Sequence, residues 1–258
     1  MEINAERVIE LVKSVRPLFM DHERASRITV KGAADFVTQV DFLVQERMRS
    51  GLFDMYPQVQ FMGEEKDNRD IDFSEAVWIL DPVDGTTNLI HDFRCSALSL
   101  ALCDRGQLEL GIIYQPYTDE LFLAKRGKGA YLNGTPIHVS PIRDLGQSLI
   151  SIGTSPYKHD LADRNFEDFK RVFLKCSDIR RTGSAAVDLA YVACGRLDAY
   201  FERYLNPWDF AAGMLLIQEA GGRVTTFAGN TVDVSGPSDI LSSNGRIGIL
   251  LEDELLPA

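Results

Sequence analysis

The sequence predicts an α/β protein in which an α+β N-terminal part is followed by an α/β C-terminal part. Three observations lead there. Short apolar runs follow one another over residues 77–80, 96–103, 110–114 and 120–124, the texture of an antiparallel sheet. Beyond Pro141 such runs alternate with stretches of helical spacing, the rhythm that lays helices against strands. The 258 residues are 45% hydrophobic and include 14 Phe, 8 Tyr and 2 Trp, which fills one large domain or two modest ones.

Taken in order, Val8, Leu11, Val12, Val15, Leu18 and Phe19 recur at helical spacing from about Ala5 and predict an opening amphipathic helix. Pro17 near its end fits a helix running out into a turn over 21–27. A second helix, with Asp41 as its cap and Leu43, Val44, Met48 and Leu52 along it, should end near Gly51, well before Pro57. Both helices should lie on a sheet. After the four apolar runs, Asn133-Gly134 predicts a hairpin turn ahead of a strand over 137–139. The C-terminal part then reads as strand 149–152, helix 162–174, strand 178–181, helix 185–193 capped by Gly195, and strand 199–201. Helix 210–220 ending at Gly221-Gly222, strands 223–225 and 240–241, and a final helix over 247–255 complete it. The boundary is placed at 143/144, giving an N-terminal subdomain 1–143 and a C-terminal subdomain 144–258. No Ser- or Pro-rich linker marks it, so the two parts should share a packed face.

Charge and cysteine usage exclude several classes. The 27 Lys and Arg stand against 38 Asp and Glu, and a net charge of −11 repels a polyanion, which argues against nucleic acid as the main ligand. Cys95, Cys103, Cys176 and Cys194 match no CxxC or zinc-ribbon spacing and read as reduced thiols. The first ten residues carry acid where a signal peptide needs basic residues, and no apolar stretch approaches the roughly 18 residues of a membrane span. A cytoplasmic protein is expected.

The most informative segment is Val77-Trp78-Ile79-Leu80-Asp81-Pro82-Val83-Asp84-Gly85-Thr86-Thr87-Asn88. A buried strand runs into a carboxylate, Pro82 forces a turn, and a second carboxylate follows three residues later, so Asp81 and Asp84 can project to one side. The amides of 85–87 then open a short helix, where unpaired N–H groups attract an anion such as phosphate. Read alone, the two carboxylates also fit an ordinary strand followed by an Asp-Gly turn. Glu64 and Glu65 after the run 59–63, Asp209 after Trp208, and Asp41 after Val40 have their own plain alternatives as solvated or helix-capping acids. All of them nevertheless fall where apolar strands end or helices begin, which is where an α/β architecture gathers functional groups. Two carboxylates about 4 Å apart repel by roughly 4 kcal/mol at an effective dielectric near 20, so a converging cluster must bind cations or take up protons. Oxygen ligands without His or Cys select Mg²⁺, or Mn²⁺, over zinc, and proton sharing without a metal is the rival.

On these residues the sequence resembles the inositol monophosphatase family of Mg²⁺-dependent, Li⁺-inhibited sugar and polyol phosphatases, which includes archaeal-type fructose-1,6-bisphosphatases. Residues 78–88 match its W-x-x-D-P-[IVL]-D-G-T-[TS]-N element without a gap. Residues 208–213 match its W-D-x-A-A-G element, 63–65 its G-E-E element and 35–41 its D-x-V-T-x-x-D element. Gly183-Ser184-Ala185-Ala186 and Ala220-Gly221-Gly222 also fall where the family has them, so the likeness covers nearly the whole chain. It implies a layered αβαβα sandwich of the sugar phosphatase type, two to three Mg²⁺ ions, and a homodimer. Position by position it implies Glu64, Asp81 and the Val83 carbonyl as ligands of a first metal, and Asp81, Asp84 and Asp209 as ligands of a second. Glu64 would also contact a third, loosely held ion. Thr86 with Asp41 would orient and help deprotonate the attacking water. The Gly85 and Thr86 amides would hold phosphate, and Asp84, the Ala185 amide and Glu202 would meet substrate hydroxyls. Lys31 matches a basic residue of a mobile loop and has the plain reading of a solvated lysine.

The implied reaction is Mg²⁺-dependent hydrolysis of inositol monophosphate and related small polyol or sugar phosphates, by direct attack of a metal-activated water. The residue patterns agree with it: there is no Cys-x5-Arg loop, no G-x-S-x-G elbow, no Gly-x4-Gly-Lys loop, and His22, His91, His138 and His159 lack H-E-x-x-H spacing. Thr87-Asn88 favours the polyol-phosphatase and fructose-bisphosphatase branches over the nucleotide branch. Arg180 and Arg181 stand ready to meet a second phosphate, as a fructose-1,6-bisphosphatase needs, or are strand-end surface residues. A transcription-associated regulatory protein of the same fold, binding RNA polymerase or RNA, is the alternative from another class.

Overall fold

The computed structural model describes residues 3–32 and 35–255. The first helical pattern forms three short pieces, α1 (Ala5–Lys13), α2 (Arg16–Phe19) and α3 (His22–Ala25), rather than one helix. Pro17 explains the break: its ring would meet the carbonyl four residues earlier and it has no N–H to donate, so the chain stops at Lys13 and restarts with proline in the first turn of α2. A hairpin follows, β1 (Ile28–Gly32) and β2 (Asp35–Thr38), which the apolar pattern did not announce because β1 is exposed along its whole length.

Helix α4 (Gln39–Met55) corrects two expectations. Its N-cap is Thr38, and Asp41 sits at the third helical position of a capping box. The helix also runs through Gly51 to Met55. Gly51 is a contact point and not a terminus, since a Cβ there would lie 2.6 Å from Leu11 Cδ1 on α1.

The next strands are β3 (Gln60–Gly63), β4 (Val77–Asp84), β5 (Ala97–Asp104), β6 (Gln107–Gln115), β7 (Glu120–Lys125), β8 (Ala130–Leu132) and β9 (Thr135–Ile137), with α5 (Thr86–Ile90) between β4 and β5. They form a seven-stranded sheet in sequence order, antiparallel except for the parallel β3–β4 pair. Asn133 and Gly134 both have positive φ, 47° and 80°, the paired left-handed turn that matches strand twist. The turn joins β8 to β9, so the last strand begins at Thr135, ahead of the expected 137.

The C-terminal part follows the expected order with longer elements: β10 (Leu149–Ile152), α6 (Ala162–Phe173), β11 (Asp178–Arg180), α7 (Ala185–Ala193), β12 (Ala199–Leu205), α8 (Pro207–Glu219), β13 (Arg223–Thr225), β14 (Ser238–Ser243) and α9 (Gly248–Leu255). Its sheet has the order β11-β10-β12-β14-β13. Helix α8 begins at Pro207, three residues before the expected Phe210, because proline is tolerated in a helix's first turn.

Side-chain alternation stacks these elements into five layers. On β4, Trp78 and Leu80 face α1 and α4, while Val77 and Ile79 face α7 and α8. The far sides of α7 and α8 meet Tyr200 and Ile240 of the second sheet, whose other face, through Ile150, Phe201 and Leu241, packs on α6 and α9. The order is αβαβα, with α7 and α8 as the middle layer between the two sheets. Small residues permit the closest approach there: a Cβ at Gly111 on β6 would fall 2.7 Å from the Ala212 carbonyl on α8. Among the described residues no helix is long and apolar enough to cross a membrane.

Candidate active site

Strand β4 brings the first two carboxylates together by losing register. It pairs with β5 up to Asp81 opposite Ser99, then slips so that Asp84 stands opposite Ala97. Pro82 cannot donate to the ladder, and the slip around it turns both acids toward one pocket. The Val83 N–H bonds back to Asp81 Oδ1 at 2.9 Å and fixes that carboxylate. The third acid arrives from α8, where Asp209 accepts from the Asn206 N–H at 2.7 Å as the third residue of a capping box. The Ser99 hydroxyl, opposite Asp81, donates to the Trp208 carbonyl at 2.9 Å and ties the start of α8 to the strand. As a result one oxygen each of Asp81, Asp84 and Asp209 lie within 4.8 Å of one another, all three residues buried. The plain reading of Asp209 as a helix-start acid is true as well, and it is the cap that aims it.

Electrostatics follow from that crowding. Burial first, then the charges of Glu64, Asp84 and Asp209, hold the Asp81 carboxyl well above its ordinary range. Burial and Asp84 do the same to Asp209. Asp84 rises only to about 6, because burial is opposed by hydrogen bonds from Ser184 and the Ala186 and Ala185 amides and by the charge of Arg181. Glu64 lines the same pocket without joining the 4.8 Å triad. Burial lifts it to about 8 against the pull of Lys31, whose Nζ is 3.7 Å from Glu64 Oε1 and 2.5 Å from Glu65 Oε1.

Asp41 lies one step behind the pocket. Its Oδ2 accepts from the Thr38 N–H at 2.8 Å and the Thr38 hydroxyl at 2.5 Å, and its Oδ1 is 3.0 Å from Thr86 Oγ1. That hydroxyl, also 3.0 Å from the Val83 carbonyl, opens onto the pocket. Full burial raises the Asp41 carboxyl against those hydrogen bonds.

The pocket, of about 250 Å³, is also lined by Gly85, Gly153, Tyr157, Arg181, Ala185 and Glu202. Here the two arginines part company. Both are exposed, but Arg180 is paired with Asp178, whereas Arg181 lines the pocket and donates to Thr154 Oγ1 at 3.1 Å. Four residues, Ser184, Ala186, Asp188 and Asn88, escaped the sequence reading as site components. Ser184 donates its hydroxyl to Asp84 Oδ2, and the Ala186 N–H meets the same oxygen at 2.7 Å. Asp188, buried and lining the pocket, accepts from Ser151 Oγ and Thr182 Oγ1, both at 2.8 Å. Asn88 Nδ2 holds the Thr182 carbonyl at 2.9 Å, so the loop carrying Ser184 is clamped from two sides. The triplet Gly183-Ser184-Ala185 and the helix it begins were visible in sequence; that Ser184 would face Asp84 was not.

Residues 1–254 match the model of the inositol monophosphatase family. The chain is 43% identical over 227 residues to the Nus factor SuhB of Vibrio cholerae serotype O1, covering 87% of this chain and 84% of that protein. It is 37% identical over 251 residues to an inositol monophosphatase of Dictyostelium discoideum, covering 94% and 91%. Among solved structures, the extragenic suppressor protein suhB of Bartonella henselae superposes with a TM-score of 0.90 at 34% identity, covering 97% of each chain.

Proposed function

The chain belongs to the inositol monophosphatase family, and from that premise we propose that it hydrolyses small polyol phosphate monoesters, inositol monophosphates among them, with Mg²⁺ at Asp81, Asp84 and Asp209. The observation that carries the reading is the buried triad, one oxygen from each acid within 4.8 Å. Ionised together, those groups repel by several kcal/mol, so the donor set calls for cations, and its all-oxygen chemistry fits Mg²⁺ or Mn²⁺. Glu64 and the Val83 carbonyl stand beside it as further candidate ligands. When bound, the metal supplies Lewis acidity toward the ester and its attacking water.

The chain's own residues supply the proton route. Thr86 Oγ1 can accept a proton from a water in the pocket while passing its own hydrogen to Asp41 Oδ1, 3.0 Å away. Burial raises the Asp41 carboxyl and makes it a better acceptor than an exposed aspartate. Gly85, Thr86, Asp84, Ala185 and Glu202 all line the pocket; on this reading the first two would hold phosphate and the other three would meet hydroxyls of the alcohol. Wild type incubated with an inositol monophosphate should release phosphate only with Mg²⁺, and Asp84→Asn should not; equal release by the variant or in excess EDTA overturns the proposal.

A bisphosphate substrate is less well served. Arg180 faces outward, and the Arg181 guanidinium already works against Asp84 and Glu202, so little positive charge is left for a second phosphate. The 43% identity to a Nus factor favours a second role in transcription. With a net charge of −11 that role would run through a protein surface and not nucleic acid. A pull-down of RNA polymerase that succeeds equally with wild type and Asp84→Asn supports it, and failure of both removes it.

A further inference from the structure

Glu202 is held more tightly than a lone carboxylate at a pocket wall needs to be. It is buried on β12, and each of its oxygens already has a donor: the Ser155 N–H to Oε1 at 2.7 Å and the Tyr200 hydroxyl to Oε2 at 2.5 Å. Ser155 reaches it from a left-handed backbone with φ of 47°, unusual for a residue other than glycine, and its own hydroxyl anchors to the Arg203 carbonyl at 2.7 Å. Beneath the carboxylate lies Gly153, which follows β10 and bonds its N–H to the Phe201 carbonyl at 2.9 Å. A Cβ at residue 153 would stand 1.9 Å from Glu202 Oε2, 2.0 Å from Cδ and 2.5 Å from Cγ. Gly153 has no positive φ to account for it. The glycine is there for space.

We propose that Gly153, with Tyr200, is a positioning residue that sets substrate selectivity by fixing where the Glu202 carboxylate sits. A carboxylate offers about four acceptor sites; two are taken within the protein, and two remain for hydroxyls of the bound alcohol. Locking a glutamate side chain in advance spares substrate binding the entropy of ordering it. The ligand class this selects is an alcohol carrying free hydroxyls away from its phosphate, as opposed to an ester whose leaving group has none. This inference rests on the phosphatase reading above, and concerns which esters are chosen, not whether they are cleaved.

The test compares kcat and KM for an inositol monophosphate and for phenyl phosphate, with Mg²⁺, in wild type, Gly153→Ala, Glu202→Ala and the double variant. The preference for the inositol ester should fall about tenfold in each single variant, the scale of losing a hydrogen bond to a charged group, and chiefly through KM. The double variant should fall no further than Glu202→Ala, because Gly153 acts only through Glu202. Effects that multiply, or a Gly153→Ala that slows both esters in the same proportion, overturn the proposal. Should Gly153→Ala not fold, Tyr200→Phe serves in the same cycle: a fall of a few-fold in the same preference, absent in the Glu202→Ala background, supports it, and no change overturns it. A wild type that cleaves neither ester ends the phosphatase reading and this inference with it, whereas cleavage of both without preference ends this inference alone.

Discussion

Raising the pH from about 5 to about 8 without divalent cation should destabilise the protein, and Mg²⁺ should restore most of what is lost. The Asp84 carboxyl is raised from 3.8 to about 6 in the fold, chiefly by burial, and Glu64 from 4.5 to about 8. A carboxyl raised in the folded state favours folding while protonated. Its contribution is therefore fully present below the ordinary pKa and lost as pH climbs through the folded value. For Asp84 the whole loss is about 3 kcal/mol at 1.36 kcal/mol per unit and runs from about pH 4 to about pH 6, so about 1.4 kcal/mol of it falls above pH 5. Glu64 extends the decline toward pH 8. Asp67 and Asp92, lowered by their arginine neighbours, contribute a constant amount over this range because both their pKa values lie beneath it. At about 2–4 °C per kcal/mol for a chain of this size, Asp84 alone should lower the melting temperature by at least about 3 °C over that range. Scanning calorimetry in EDTA measures it directly, and Mg²⁺ at a hundred times its Kd should return about 3 kcal/mol at the upper pH. In Asp84→Asn the amide oxygen can still accept from Ser184 and Ala186, so that variant should melt higher than wild type in EDTA at pH 8 and respond little to Mg²⁺. A metal-free melting temperature that stays level or rises over this range, or a full Mg²⁺ response in the variant, refutes the reasoning.

Thr86→Ala should lower kcat about a hundredfold with little change in KM, and Thr86→Ser should recover most of it, as steady-state phosphate release will show. Gly111→Ala should cost about 1–3 kcal/mol in urea unfolding, since the new Cβ would meet the backbone of Ala212 and not a movable side-chain end. Fructose 1,6-bisphosphate should be turned over with a kcat/KM no better than that of a fructose monophosphate, and Arg180→Ala should leave that ratio as it is.

Local chemistry made the central strand and its turn readable. An apolar run ending in Asp81-Pro82-Val83-Asp84-Gly85 encodes its own slip and bend, so the position of two acids follows from neighbouring residues. The C-terminal rhythm was readable for the same reason, each helix face and strand being written within a dozen residues. What remained hidden depends on partners far along the chain. Ser184 meets Asp84 across 100 residues, and Gly153 is explained only by Glu202 lying beneath the missing Cβ. Asp41 was seen as a helix-start acid, but its bond to Thr86 spans 45 residues. The β1–β2 hairpin escaped because β1 is exposed along its whole length and carries no alternation to read, and the break after Lys13 because amphipathic spacing carries on across a proline that the backbone does not.

The hydroxyl of Ser99 links two parts of the pocket that belong to different halves of the chain. It stands across from Asp81 and grips the peptide just ahead of Asp209. The separation of those acids is thus set in part by one short link buried between a strand and the middle helices. The outer helices α6 and α9 lie across the second sheet from that link, so changes on their exposed faces leave the spacing of Asp81 and Asp209 alone, whereas α4 carries Asp41 and is bound to the pocket through Thr86.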